Sequence, residues 1–227
     1  MIDFRLLGEL ALPLAGGAAF SVLFTLAVCV LGGLAALAVS FLAVNATAPV
    51  RSMIALLSLF FRGFPLLVLL YLVYYGLGSL SLVRHTALWT AFSSPLFCAL
   101  LAFTLNHAFF VAQILTGALR NISPGIVEAA SALGLHRTVI FATVQLPLAW
   151  RLALPAYRNE VVMYFKSSSL VTVVTLTDLL SVAKSSVDQY FDPITPFVGA
   201  ACLYWLLVQL IQLAFDRIDR RLGYYTL

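Results

Sequence analysis

Four stretches of this chain carry no charged side chain: residues 10–50, 63–83, 86–119 and 193–215. At 1.5 Å per helical residue, each is long enough to cross a hydrocarbon layer about 30 Å thick. Together with the polar interruptions between them, they predict five crossings. The first lies within 15–44, with length to spare for tilt or an interfacial lead-in. Asn45 to Pro49 makes a turn and Arg51 marks a watery edge, so the second crossing runs over about 53–75. Residues 76–85 form an exposed, mildly amphipathic connection. The third crossing occupies 95–119, the fourth begins near Pro155 and reaches about 180, and the fifth covers 195–215. Residues 181–193 read as a polar loop.

Composition points the same way. The 227 residues are 63% hydrophobic and 10% charged, with a mean hydropathy of +1.04, which a soluble fold of this size has too little interior to hide. The fold class is therefore an all-α polytopic membrane protein, one domain over 1–227. A net charge of +4 is too small to indicate nucleic acid. Cys29, Cys98 and Cys202 fall in separate apolar runs without ligand spacing and read as small buried hydrophobes, not as a metal site. Asp3 and Glu9 spoil a positive leader, so the first apolar segment is expected to stay as a helix.

Orientation follows from the basic residues at the connections. With the N-terminus outside, Arg51, Arg120, Arg137, Arg217, Arg220 and Arg221 face the cytoplasm, while Arg5, Arg84 and Lys184 face out. This arrangement is the one the positive-inside rule favours, and it puts the C-terminus and residues 121–147 inside the cell.

Those residues form the one mildly polar segment that lipid does not require. Ser123-Pro124 reads as a helix start, Ser capping free amides and Pro costing no bond. Glu128 complements the positive helix end. Ile126, Val127, Ala130 and Leu133 share one apolar face, and Ala129 with Ala130 permits close approach of a partner. Gly134 suits a left-handed stop. A second short helix over about 136–144 then runs to Leu146-Pro147, where proline breaks it. The expected product is a helix–turn–helix knuckle standing off the membrane.

The spacing of Glu128-Ala129-Ala130, Gly134 and Leu146-Pro147 resembles the loop by which membrane subunits of bacterial ABC importers dock on their ATPases. With Phe61-Arg62-Gly63-Phe64-Pro65, Ser123-Pro124-Gly125, Leu154-Pro155, Asn159-Glu160 and Lys166-Ser167-Ser168-Ser169-Leu170, the chain resembles the permeases of polar amino acid importers over about residues 20–222. It departs from their usual pattern at Phe64, Gln113, Arg158 and Ser167, where threonine, glutamate, glycine and aspartate are common. The resemblance implies a type I importer (MetI-like) architecture in the bacterial inner membrane, and a permease with no catalytic site. It also implies a dimer of ATP-binding subunits that use ATP and Mg, a second permease (identical or similar), an extracytoplasmic substrate-binding protein and an amino acid cargo. The sequence has no Gly-x-x-x-x-Gly-Lys-Ser/Thr loop, so the ATPase is expected on separate chains.

Ionisable and amide side chains inside lipid need a reason. Arg62, Asn106, Gln113, Asn159, Glu160, Lys166 and Ser169 are the candidates for the substrate path. Arg62, Glu160 and Lys166 either neutralise one another as helix glue or meet the charges of a zwitterion, and periodicity does not choose between these. His107 reads as a packed histidine without a role. An ion-coupled transporter or channel subunit is the alternative, and the absence of an inverted repeat or a broken-helix pair argues against it. A purely structural membrane protein would have no use for polar groups at mid-depth.

Overall fold

The computed structural model describes residues 2–222, entirely helical apart from turns and connections. Met1 and residues 223–227 of the expected single domain lie outside the described residues. Helix α1 spans Phe4–Asn45 and is capped by Asp3, whose carboxylate accepts from the amides of Arg5 and Leu6. Its 42 residues extend roughly 63 Å, about twice a hydrocarbon core. The surplus length is used in packing. Leu6, Leu10 and Leu14 of the first turns are buried against Leu179, Ala183 and Ala200 from much later in the chain.

Helix α2 (Ala48–Gly63) and helix α3 (Leu66–Tyr71, continued by a π-turn over Leu72–Leu77) take the place of the second crossing. The sequence predicts one straight span here, but the two pieces meet at 102°. Pro65 is the cause. Its ring excludes the helical region for the preceding residue, and Phe64 is extended, at φ −87° and ψ 140°. The expectation of no broken-helix pair is thus overturned, and with it one objection to an ion-coupled transporter.

Two short helices, α4 (Ser81–Arg84) and α5 (Trp89–Phe92), lead into α6 (Pro95–Arg120), which Ser94 caps through the amide of Phe97. Helix α6 is the centre of the bundle. Phe103 packs edge-on against Phe24 of α1, their ring centroids 5.0 Å apart. Gly32 of α1 faces His107, where a Cβ would lie 2.8 Å from the imidazole Cδ2. Small residues bring α1 and α6 together in lipid, where no hydrophobic force drives association.

Helix α7 (Pro124–Ala132) is followed by α8 (Arg137–Ile140), a π-turn over Phe141–Gln145, α9 (Leu146–Ser167) and a 3₁₀ turn over Ser168–Val174. Two expectations fail in this region. The helix that carries the fourth span starts at Arg137 and runs unbroken to Val174, where the sequence predicts a separate short helix and a span that begins near Pro155. Pro147 does not break it, because it falls in the first turn after the wider π-turn, where its missing N–H leaves little unsatisfied. The expected polar loop 181–193 is mostly helix α10 (Leu179–Tyr190), whose buried Leu179, Ala183 and Ser186 make an amphipathic stripe. Asp178 caps it by accepting from the amides of Leu180 and Ser181. Helix α11 (Thr195–Leu222) closes the bundle. Among the described residues four helices are long and apolar enough to span a membrane, or five with the bent α2–α3 pair counted as one. Of the cysteines expected to be buried, Cys98 is, Cys29 is half-buried and Cys202 is exposed.

Candidate functional site

The knuckle forms much as its residues dictate, with differences in detail. Pro124 occupies the first turn of α7, but the Ser123 side chain makes no cap hydrogen bond. Glu128 sits in the second turn, one turn past the reach of the helix-end charge. Ala130 is buried while Glu128 and Ala129 are exposed. Leu133 is not on the inner face with Ala130, since the helix ends at Ala132 and Leu133 turns outward, 80% exposed. Gly134 adopts φ +76° and donates its amide to the Ser131 carbonyl. The turn thus presents Glu128, Ala129, Leu133, Leu135 and Val139 together. Leu146 and Pro147 stand apart from that tip. Leu146 packs against the buried cluster of Leu115, Phe141 and Ala149, and both residues line the wall of a cavity beside α1.

The membrane polar residues separate into three groups. Arg62, Gln113 and Glu160, from three different helices, line one cavity of about 540 Å³. The Arg62 guanidinium lies over the Phe110 ring, 5.1 Å from its centroid, and is close enough to Glu160 for the two charges to interact. A cation, a carboxylate and an amide around one space suit a small zwitterion.

Asn106 belongs to a second group, in the packed interior. Its Nδ2 donates to the Phe61 carbonyl and its Oδ1 accepts from the Tyr164 hydroxyl, so both ends of the amide are engaged. It ties α2 and α9 to α6. Asn159 and Lys166 form a third group on an exposed stripe of α9 that also carries Leu152, Ala156 and Met163 at helical spacing. Ser169 lies beside it and donates to the Lys166 carbonyl. Glu160 and Lys166 do not pair. The ion pair the sequence did not suggest is Arg158–Asp216, 2.8 Å apart, which holds α9 to α11. Its signal was present: the Arg158 departure is answered by an acid near the end of the last span.

Comparison with known proteins agrees with this architecture. Residues 30–224 match the family described as binding-protein-dependent transport system inner membrane component. The histidine/lysine/arginine/ornithine transport system permease protein HisM of Salmonella typhimurium is 36% identical over 206 residues, covering 90% of this chain and 88% of the relative. The octopine transport system permease protein OccM of Rhizobium meliloti is 39% identical over 144 residues, covering 63% of this chain and 59% of that protein. Among solved structures, that of an amino acid ABC transporter with histidines superposes with a TM-score of 0.83 at 23% identity, covering 97% of this chain and 99% of the other. The fold, the breadth of the family match and the length of the likeness to HisM lead to one conclusion: this chain belongs to the family of inner-membrane components of binding-protein-dependent transport systems.

Proposed function

We propose that the chain is the membrane subunit of an ATP-driven importer for polar amino acids or related small zwitterions, forming half of the path. The observation that carries this reading is the cavity shared by Arg62, Gln113 and Glu160, where opposite charges line one space. Family membership brings an ATPase and a substrate-binding protein as partners. The exposed α9 stripe through Asn159 and Lys166 is where a second permease, identical or similar, covers this one. The N-terminus lies outside and the C-terminus inside, so the knuckle meets the dimeric ATPase through Glu128, Ala129 and the Gly134 turn, with Ala130 packed beneath them and Leu146 and Pro147 anchoring its base. The ATPase subunits bind the Mg and ATP. Nucleotide binding draws the knuckles of the two permeases together and opens the path outward. Gln113 in place of an acid leaves the cavity with one carboxylate, so a cationic side chain is held poorly.

Reconstituted with its ATPase and binding protein in proteoliposomes, the complex is expected to take up at least one of histidine, arginine, glutamine and glutamate only when ATP is supplied. Glu160→Gln should lower uptake by about tenfold or more, the size expected when a cargo charge loses its opposite charge in the cavity. Gln113→Glu should raise arginine uptake relative to glutamine. Uptake that persists without ATP transfers the chain to ion-gradient-driven transport, and unchanged uptake in Glu160→Gln removes this cavity from the path.

A further inference from the structure

Next to the Arg62 cavity lies a second one, of about 400 Å³, between α2 and α6. Two guanidiniums line it, Arg51 from the first turn of α2 and Arg120 from the last turn of α6, together with Ser58, Gln113 and Thr116. No aspartate or glutamate lines it. Among the described residues neither the Arg51 nor the Arg120 side chain has a hydrogen bond, an ion pair or a ring contact. Both arginines are exposed at this cavity, an anion between two like charges relieves the repulsion that water only screens, and arginine forks match the two oxygens of a carboxylate or phosphate.

The positions are set by helical phase. On α2, Arg51, Ser58 and Arg62 stand at i, i+7 and i+11, within about 20° of one line at 100° per residue. On α6, Gln113, Thr116 and Arg120 stand at i, i+3 and i+7, within about 30° of one line. Gln113 and Gly117 line both cavities, so the two spaces adjoin.

We propose that Arg51 and Arg120 form an oxyanion-binding site, contiguous with the transport cavity, that takes a carboxylate or phosphate group between two guanidiniums, with Ser58, Thr116 and Gln113 as neutral donors. The anion has two sources, the carboxylate of a departing amino acid or the phosphate of an anionic lipid. Assigning it to the cargo rests on the import reading above, whereas the site itself does not.

The experiment is arginine-specific dicarbonyl modification of the purified complex in nanodiscs of phosphatidylcholine, mapped by peptide mass spectrometry. Inorganic phosphate should slow modification of Arg51 and Arg120 together by about threefold or more, while Arg5 and Arg137 react unchanged. Protection by histidine but not by histidinamide identifies a cargo carboxylate. Protection on adding phosphatidylglycerol to the disc, without histidine protecting, identifies a lipid phosphate and leaves the import reading to its own uptake assay. Gly117→Leu should abolish protection without disturbing the fold, since a Cβ there meets nothing within 4 Å. Modification unaffected by phosphate, histidine and phosphatidylglycerol, or protection of only one of the two arginines, overturns the site.

Discussion

Gly134 holds a conformation that side chains resist. At φ +76° any L-residue pays for contact between its Cβ and backbone oxygen, about 1–2 kcal/mol and more when β-branched. The space around it is open, so the strain is backbone strain alone. Gly134→Val should leave insertion and expression intact while lowering the amount of ATPase that co-purifies, and unchanged co-purification shows that the turn does not shape the docking surface. Gly32 is a different kind of glycine. Its φ is helical and its difficulty is the imidazole of His107, 2.8 Å from any added Cβ. Gly32→Val should destabilise the bundle by about 1–3 kcal/mol, read as a lower melting temperature of the purified complex. Both glycines were in the sequence, but only Gly134 announced its role, because a stop has a local signature and a close approach between helices does not. Arg62 and Glu160 were legible as costly residues. That they share a cavity, while Asn106 is consumed as a clamp and Lys166 points elsewhere, needed the packing of α2, α6 and α9.

At the scale of elements, the hydrophobic runs located α1, α6 and α11 well, since long apolar stretches leave a membrane helix few alternatives. What they missed was where helices bend and where they do not. Two prolines mark the contrast. Pro65 turns its chain through 102° because the residue before it has gone extended. Pro147 turns nothing, because a π-turn just upstream has already rearranged the hydrogen-bond ladder. Helix α10 was hidden for a simpler reason: a short amphipathic helix of twelve residues, rich in serine, resembles a loop until the partner that buries one stripe of it is known. Asp178 was the available signal, as an N-cap ahead of Leu179. The π-turn is open to a direct test. Deleting Thr143 should convert it to ordinary helix and leave the phase of α9 nearly unchanged, because the wider turn carries one extra residue over almost the same rotation. ATPase docking and uptake should both survive, and lost uptake shows that the wider turn is itself needed.

Across the whole molecule, the bundle is centred on α6, with α1 laid along it and the knuckle at one end. The first turns of α1 meet α10 and the start of α11 in the cluster of Leu6, Leu10, Leu179 and Ala200, so the outer helices are held against one another. Family membership fixes this chain as an inner-membrane transport component. The unbroken run from Arg137 to Val174 has a mechanical consequence. A crank with no joint between handle and shaft delivers rotation as well as push, so a partner gripping Arg137 or Val139 steers the bearing of Glu160, six turns away. Timing between fuel and cargo is thereby written into the pitch of a single rod, and a slip of one residue in its ordinary helical stretch would put the stroke out of phase.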